Sequence, residues 1–157
     1  MAKEIHIHDE IYGQMLIDPL LLNFIDTPEF QRLRFIKQLG ASCFVFPSAT
    51  HTRFEHSIGV AHLTGIMIKS ICSKQPELGI TDRHVILLQL AGLLHDIGHL
   101  CYSHFFDGFF LKNKLGDVPE REHEYRSNQI IDLIVSKYDI PITKEEIEFV
   151  KHVIEPT

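Results

Sequence analysis

Residues 85–99 read VILLQLAGLLHDIGH, and this stretch decides the fold of the 157-residue chain. Its first ten residues are apolar apart from one glutamine, so a helix built from them is apolar on nearly every side. Such a helix belongs at the centre of a helical bundle. His95 and Asp96 close the helix, and Gly98 allows the chain to turn away from it. An imidazole beside a carboxylate at this point predicts a chemical site at the carboxyl end of a central helix.

Cap motifs predict where the other helices begin. Asp18-Pro19 and Thr27-Pro28 each place a capping side chain before a proline, which suits the first turn of a helix. Thr143 with Glu146 three residues later is a capping box. Together with apolar residues at helical spacing, these signals predict helices over the ranges 20–25, 28–38, 54–72, 82–94, 123–137 and 144–154.

The remaining segments leave little room for a sheet. Alternating apolar residues between positions 4 and 11 allow at most a minor β-hairpin, there or around Phe44. Residues 112–122 are charged, contain Gly116 and Pro119, and are typical of a loop. Because the chain shows no internal repeat and no linker, we expect residues 1–157 to form a single domain of the all-α class.

Composition limits the classes of function. A net charge of -6 disfavours nonspecific nucleic-acid binding, although Arg32, Arg34 and Lys37 form a local cluster that could hold phosphates. The apolar stretches are too short or too interrupted to span a bilayer, and the first residues lack the apolar run of a signal peptide. Three widely spaced cysteines suggest reduced thiols. We therefore expect an intracellular protein, cytoplasmic or nuclear, with neither membrane nor nucleic acid as a partner.

The eleven histidines are the strongest compositional signal. A catalytic divalent ion needs a few rigid ligands and open positions, and His56, His95 and Asp96 are the best three candidates. His99 follows His95 by four residues, so it lies on the same helix face whether or not it binds the ion. A lone histidine in a helix is usually a surface or hydrogen-bonded residue. So many ionisable groups beside apolar helices would be costly without a function, which favours a metal-assisted hydrolase.

Two longer tracts carry a resemblance to a known family. They are IDTPEFQRLRFIKQLGASCFVFPSATHTRFEHSIGV, residues 25–60, and AGLLHDIGHLCYSHFFDGFF, residues 91–110. Both resemble the catalytic core of the SAM-and-HD-domain deoxynucleoside triphosphate triphosphohydrolases, which are HD-domain phosphohydrolases. The resemblance extends from about Ile7 to Val153 and does not include a SAM domain. It implies an all-α HD-domain helical bundle.

The resemblance also implies a reaction: a deoxynucleoside triphosphate and water give the deoxynucleoside and intact triphosphate. It further implies a divalent metal ion, which could be Fe, Mn, Mg or Zn. The matching metal ligands are His56, His95 and Asp96. The matching residues for proton transfer and phosphate stabilisation are His99, His104, Asp107 and His123. In this scheme His104, oriented by Asp107, would protonate the departing 5′ oxygen.

Substrate and activator positions can be matched in the same way. Arg53 would hold triphosphate oxygens, while Gln38 and Leu39 would lie against the sugar. In that family nucleotides also bind between subunits and promote oligomers, so a guanine nucleotide activator and a homo-oligomer, dimer or tetramer, are expected. The positions that match the guanine-reading residues are Asp26, Gln31 and Arg34. An ordinary exposed helix face is the alternative for these three. Ile5 and His8 differ from the family residues that hold the activator.

One feature of the family pattern is missing. Its final metal-binding Asp follows the last helix seen here, and neither Asp132 nor Asp139 lies in a matching motif. We therefore expect the chain to be the N-terminal portion of the catalytic core, either as a fragment, as a short form or with a site completed by another subunit. Two other functions stay open: an HD phosphohydrolase for a different nucleotide, and a catalytically silent module for nucleotide binding or assembly.

Overall fold

A computed structural model describes residues 5–156. The described chain begins with an antiparallel hairpin of β1 (Ile5–Asp9) and β2 (Gly13–Ile17). Met15 and Ile17 face inward and are buried, so the hairpin covers part of the helical core. The minor hairpin is therefore found near the N-terminus, which is one of the two places that the sequence allowed.

Helices make up most of the rest of the described chain. They are α1 (Pro19–Ile25), α2 (Pro28–Gln31), α3 (Arg53–Lys74), α4 (Asp82–Leu94), α5 (Lys112–Leu115), α6 (His123–Lys137) and α7 (Lys144–Ile154). Short 3-10 turns cover Arg32–Phe35, Gly40–Phe44, Pro76–Leu78 and Pro119–Arg121, and a π-helix covers Phe106–Leu111. The predicted all-α class is confirmed. No helix among residues 5–156 has both the length and the apolar character needed to cross a membrane.

The predicted caps hold the helix ends. The Asp18 carboxylate accepts a hydrogen bond of 2.8 Å from the backbone N–H of Leu20. At the start of α7 the backbone N–H of Glu146 donates to the Thr143 hydroxyl, and the Glu146 carboxylate accepts from the N–H of Thr143. Each cap satisfies backbone N–H groups that have no partner inside the helix. These local bonds explain why the predicted starts of α1 and α7 agree with the structure.

The apolar helix α4 lies in the core. It packs against α3, α7 and α1, and Leu90, Leu93 and Leu94 are fully buried. Burying a leucine side chain stabilises a fold by about 2 kcal/mol relative to leaving it exposed, so this end of α4 is firmly anchored. The helix ends at Leu94, which places the next residues of the chain directly above a rigid core.

The second predicted helix is shorter than expected. α2 ends at Gln31, a 3-10 turn follows, and Ile36 is extended with φ −109° and ψ 107°. The carbonyl of Ile36 accepts a hydrogen bond of 2.8 Å from the N–H of Arg53, and the N–H of Gln38 donates to the carbonyl of His51 at 3.0 Å. These bonds between distant residues replace the helix. They also bring Gln38 and Arg53 toward the carboxyl end of α4.

Candidate metal and catalytic site

The candidate site forms where the carboxyl end of α4 meets the first turns of α3 and α6. His95 caps α4 and Asp96 follows it, while His56 lies in the first turn of α3 and His123 is the first residue of α6. Helix ends that are packed on one core hold these side chains in place without further ordering. The structure therefore brings His56 and His123, which are 67 positions apart in the chain, to the same carboxylate of Asp96.

Asp96 is the centre of the cluster, and its side chain is nearly buried. Its Oδ2 lies 3.2 Å from His56 Nε2, and its Oδ1 lies 3.3 Å from His95 Nε2. The Nε2 atoms of His99 and His123 lie 3.5 and 3.8 Å from Oδ1. Burial acts to raise the pKa of Asp96, but hydrogen bonds from the imidazoles outweigh it and hold the pKa far below its ordinary value. Asp96 is therefore an ionised carboxylate at neutral pH.

His56, His95 and Asp96 fit the demands of a divalent ion. Their donor atoms all lie within 4.8 Å of one another. Two donors that are each about 2.0–2.1 Å from one ion stand about 3 Å apart, which agrees with the two shortest His–Asp contacts. His95 Nδ1 donates to the carbonyl of Gly92 at 2.8 Å, which leaves Nε2 directed toward Asp96. A backbone carbonyl commonly orients a metal-binding histidine in this way.

The pKa of His95 also depends on Asp96. Burial acts to lower the pKa of His95, but the hydrogen bond with Asp96 and its charge act in the other direction, and the pKa is raised. A metal ligand must be a neutral imidazole, so protons and a metal ion compete for this nitrogen.

A second group of side chains adjoins the first: His99, His104, Asp107 and His123. The ring of His99 is fully buried and stacks on the ring of His123 with centroids 3.9 Å apart. His104 is exposed and stands edge-on to both rings. Both ring nitrogens of His99 lack an aligned hydrogen-bond partner among the described residues. Buried polar atoms of this kind are costly unless water, an ion or a ligand satisfies them.

Asp107 is placed differently from the expectation that it orients His104. Its Oδ2 lies 3.3 Å from His99 Nδ1, and its Oδ1 accepts a hydrogen bond of 2.6 Å from Arg126. Burial acts to raise the pKa of Asp107, but His99 and Arg126 together lower it. Within residues 5–156 no hydrogen bond joins Asp107 to His104. The carboxylate therefore lies beside the ring of His99 in an ion-pair contact without an aligned hydrogen bond, and it does not hold His104.

Arg53 is fully buried and already bonded to other side chains of the site. Its side chain is 1% exposed, its Nη1 donates to Asp96, and its Nε donates to the Ser103 hydroxyl at 3.2 Å. Burial lowers the pKa of Arg53, and the charge of Asp96 offsets part of that effect. Its Nη2 is buried without a partner in the described part of the chain. Arg53 is thus the counter-charge of Asp96, and one of its amino groups is left without a hydrogen-bond partner among the described residues.

Gln38 and Leu39 line a cavity of about 330 Å³ beside His104. Ser103, His104 and Phe105 also line this cavity. The Ser103 hydroxyl lies 2.9 Å from the carbonyl of Lys37 and so ties this wall to the segment before α3. The structure therefore places both predicted sugar-binding residues in the same cavity wall as His104.

The predicted activator residues form an exposed patch. The Gln31 amide donates to the carbonyl of Ile25 at 2.8 Å, and Arg34 Nε donates to the Gln31 carbonyl oxygen at 2.7 Å. The Arg34 guanidinium lies 3.5 Å above the centre of the Phe54 ring. Asp26 is exposed at the end of α1. The structure therefore joins Gln31 to Arg34, with Asp26 on a neighbouring helix end.

Arg32 does not join the expected phosphate-holding cluster. Its guanidinium donates inward to the carbonyls of Ile97 and His99, so it supports the turn after α4. The Ser127 hydroxyl donates to the carbonyl of His95 at 2.7 Å and accepts from the N–H of Gly98 at 2.9 Å. These supports could not be predicted from the sequence, because bonds between residues so far apart leave no local pattern.

Gly98 has a different role from the predicted one. It is not among the described glycines with positive φ, so the turn does not depend on its conformational freedom. A Cβ atom at this position would lie 2.2 Å from the carbonyl oxygen of His123 and 2.4 Å from the backbone N of Ser127. Gly98 therefore lets α6 approach the turn closely enough to bring His123 to Asp96.

The lowered pKa of His123 predicts that the metal-free chain loses stability at mildly acidic pH. Burial and the charge of His99 lower the pKa of His123 from 6.5 to about 4. Between these values the unfolded chain binds a proton at His123 that the native chain does not bind. The contribution of neutral, buried His123 to the free energy of unfolding is therefore complete above pH 6.5 and is lost as the pH falls toward 4.

We expect His123→Gln to reduce the fall in the free energy of unfolding between pH 7 and pH 5 by about 1–2 kcal/mol. The measurement is urea unfolding in the presence of a chelator. His152→Gln is the control, because His152 is exposed on α7. An unchanged pH dependence in His123→Gln would contradict the assignment.

Comparisons with known proteins agree with this geometry. Residues 53–155 match the family model described as "HD domain". "Deoxynucleoside triphosphate triphosphohydrolase SAMHD1" of Homo sapiens is 45% identical over 157 residues, which cover 94% of this chain and 25% of that protein. The SAMHD1 homolog of Dictyostelium discoideum is 41% identical over 150 residues, which cover 95% of this chain and 29% of that protein.

A viral relative shows the same pattern. "Putative HD domain-containing protein L394" of Acanthamoeba polyphaga mimivirus is 39% identical over 160 aligned positions, which cover 94% of this chain and 35% of that protein. The chain thus spans about a quarter to a third of the length of these relatives. The resemblance drawn from residues 25–60 and 91–110 is confirmed. The chain belongs to the HD domain family.

Proposed function

We propose that this HD domain supplies the metal centre and proton-transfer residues of a deoxynucleoside triphosphate triphosphohydrolase. The reaction gives a deoxynucleoside and intact triphosphate. One observation carries the proposal: the ionised Asp96 lies within 3.2 to 3.8 Å of four imidazoles at the rigid end of a buried helix. The names of the relatives from Homo sapiens and Dictyostelium discoideum support the choice of substrate.

His56, His95 and Asp96 would hold the divalent ion, with Fe, Mn, Mg and Zn as candidates. Such an ion, when bound, lowers the pKa of a water molecule and stabilises charge on a phosphoryl oxygen. Arg53 donates to the Asp96 carboxylate, and its unpartnered Nη2 would donate to a phosphate oxygen. The buried position of Arg53 strengthens that bond, because water does not compete for it.

His104 is the residue that protonates the departing 5′ oxygen in this proposal. It is exposed at the mouth of the cluster, and a neutral-pH reaction suits an imidazole acid. His123 has a pKa of about 4, so it is neutral at pH 7 and adds no positive charge beside His104. Asp107 and His99 support the other side of the cluster.

The sugar would lie in the cavity beside His104. Gln38 and Leu39 form one wall of it. A close apolar contact from Leu39 leaves a 2′-hydroxyl without a hydrogen-bond partner, which favours deoxyribose over ribose. This wall bears only on the sugar, so the choice of a triphosphate over a nucleoside monophosphate rests on the names of the relatives.

Regulation would use the exposed patch formed by Asp26 at the end of α1, Gln31 at the end of α2 and Arg34 in the 3-10 turn that follows. Arg34 and Gln31 present a joined pair of donors and acceptors, and Asp26 adds a carboxylate, which suits the edges of a guanine base. We propose that a guanine nucleotide bound here promotes a homo-oligomer, either a dimer or a tetramer. Sedimentation with and without GTP, repeated with Arg34→Gln, tests it. Oligomers that form equally well in that variant would contradict the proposal.

Product analysis tests the reaction itself. We expect dGTP or dATP incubated with the chain and Mn²⁺ or Mg²⁺ to yield the deoxynucleoside and tripolyphosphate, separated by ion-exchange chromatography. His95→Ala is expected to stop turnover, whereas His152→Ala is the matched control on the exposed face of α7. Release of orthophosphate or pyrophosphate would contradict the proposal in favour of a different nucleotide reaction. Nucleotide binding that survives in His95→Ala, with no turnover by the unchanged chain, would indicate a silent module.

A further inference from the structure

Arg126, on α6, joins three segments around the site. Its Nε donates to the carbonyl of Gly98 at 3.0 Å, in the turn after α4. Its Nη1 donates to the carbonyls of Glu120 and Arg121 at 2.8 and 2.6 Å, in the 3-10 turn before α6. Its Nη2 donates to Asp107 Oδ1 at 2.6 Å, in the π-helix. A largely buried guanidinium therefore connects the α4 turn, the segment before α6 and the carboxylate beside His99.

The shape of the guanidinium matters for this arrangement. Its N–H groups point in several fixed directions in one plane, so it can satisfy acceptors on three sides at once. An ammonium group is a compact point charge on a flexible stem and cannot reach them all. Because Nη2 occupies Oδ1 of Asp107, the other oxygen is left facing His99 Nδ1 at 3.3 Å. Among the described contacts of Asp107, the bond from Arg126 is the one that fixes which carboxylate oxygen faces His99.

We propose that Arg126 is a positioning residue: it orients Asp107, and through Asp107 the ring of His99, while it ties residues 119–121 to the turn after α4. It has no contact with His56, His95 or Asp96 among the described hydrogen bonds and ion pairs. Replacing Arg126 should therefore disturb the positions of Asp107 and His99 and not the metal ligands. Only the expected effect on turnover rests on the proposed function.

Arg83 provides a matched control. It lies at the start of α4 and donates to both carboxylate oxygens of Glu146, at 2.6 and 2.8 Å, and to the carbonyl of Pro141. Its guanidinium thus makes a similar number of bonds. It stands about 18 Å along the helix from His95, at a rise of about 1.5 Å per residue. Arg83→Gln therefore removes a multiply bonded arginine without touching the site.

The experiment compares Arg126→Gln and Arg126→Lys with Arg83→Gln. In the metal-free chain, ¹H–¹⁵N spectra of the histidine rings report on His99, and limited trypsin digestion reports on the bond after Arg121, whose carbonyl Arg126 holds. We expect both Arg126 variants to shift the His99 ring signals and to speed cleavage after Arg121 about tenfold. We expect an unchanged Mn²⁺ affinity. Arg83→Gln should change none of these.

Turnover of dGTP separates positioning from general support. Loss of an orienting partner typically lowers activity about 10-fold to 100-fold, so kcat should fall by that factor in both Arg126 variants while KM stays near its original value. Circular dichroism checks folding, and Arg126→Lys carries the test if Arg126→Gln does not fold. If the unchanged chain hydrolyses no dNTP, the proposed function fails, while the ring signals and trypsin cleavage still decide the role of Arg126.

Three results would overturn the proposal. The first is an unchanged set of His99 ring signals in a folded Arg126 variant. The second is an equal change in Arg83→Gln, which would mean that general destabilisation is the cause. The third is wild-type behaviour of Arg126→Lys alone, because a point charge would then be sufficient and the planar fork of donors would be unnecessary.

Discussion

Replacing Asp96 by Asn is expected to lower the metal affinity of this protein and its stability without metal. Asp96 is the only carboxylate in the candidate ligand set with His56 and His95, and its charge balances Arg53. Asn keeps the size of the side chain but removes the charge, so a buried guanidinium loses its partner. Breaking a buried ion pair in this way costs about 3–5 kcal/mol. Metal affinity should fall by about 100-fold or more, because ligand loss exceeds the usual effect of changing an outer partner.

Titration calorimetry with Mn²⁺ and urea unfolding with a chelator measure the two effects of Asp96→Asn. The control is Asp132→Asn, because Asp132 forms an exposed pair with Lys151 on the outside of α6. An exposed pair contributes at most about 1 kcal/mol, so this control should be nearly neutral. If Asp96→Asn bound Mn²⁺ as tightly as the unchanged chain, the metal centre described above would be wrong.

Gly98→Ala is expected to have the second large effect. The added methyl group would lie 2.2 Å from the carbonyl oxygen of His123 and 2.4 Å from the backbone N of Ser127. Both are backbone atoms of α6, so relief requires movement of the whole helix start. Overpacking of this kind costs about 1–3 kcal/mol or more. A displacement of about 1 Å at a catalytic group can cost about 100-fold in rate, so turnover should suffer as well.

Gly108→Ala is the matched control for Gly98→Ala, because a Cβ atom at Gly108 meets no atom within 4 Å. Alanine favours helix over glycine by roughly 1 kcal/mol, so the control should be neutral or slightly stabilising. Thermal unfolding and the kcat for dGTP measure the comparison. Equal stability and equal turnover in the two variants would contradict the role given to Gly98.

Local signals explain which parts of the fold were predictable. Asp18 before a proline and Thr143 with Glu146 determine helix starts through bonds within a few residues, so the sequence alone reveals them. The end of α2 depends instead on bonds from Gln38 to His51 and from Arg53 to Ile36. Those pairings form only when the chain folds back, and helical periodicity gives no warning of them.

The site shows the same division. His56, His95 and Asp96 were predictable as a group because metal chemistry limits the residue types and the helix end limits their directions. Arg126 was not, because an arginine inside an amphipathic helix looks like a solvent-exposed residue. Its role depends on carbonyl groups of distant segments, and every residue has a carbonyl group. Asp107 was predicted as part of the cluster, but its partners in the structure are His99 and Arg126.

We propose that the Asp96 cluster cleaves the bond between the 5′ oxygen and the α-phosphorus of a deoxynucleoside triphosphate. Phosphorus NMR of dGTP hydrolysis in ¹⁸O-labelled water, with Mn²⁺ or Mg²⁺ present, shows which bond breaks. We expect tripolyphosphate that carries the label on one terminal phosphorus, and deoxyguanosine without label. Labelled deoxyguanosine, or label released in orthophosphate or pyrophosphate, would contradict it.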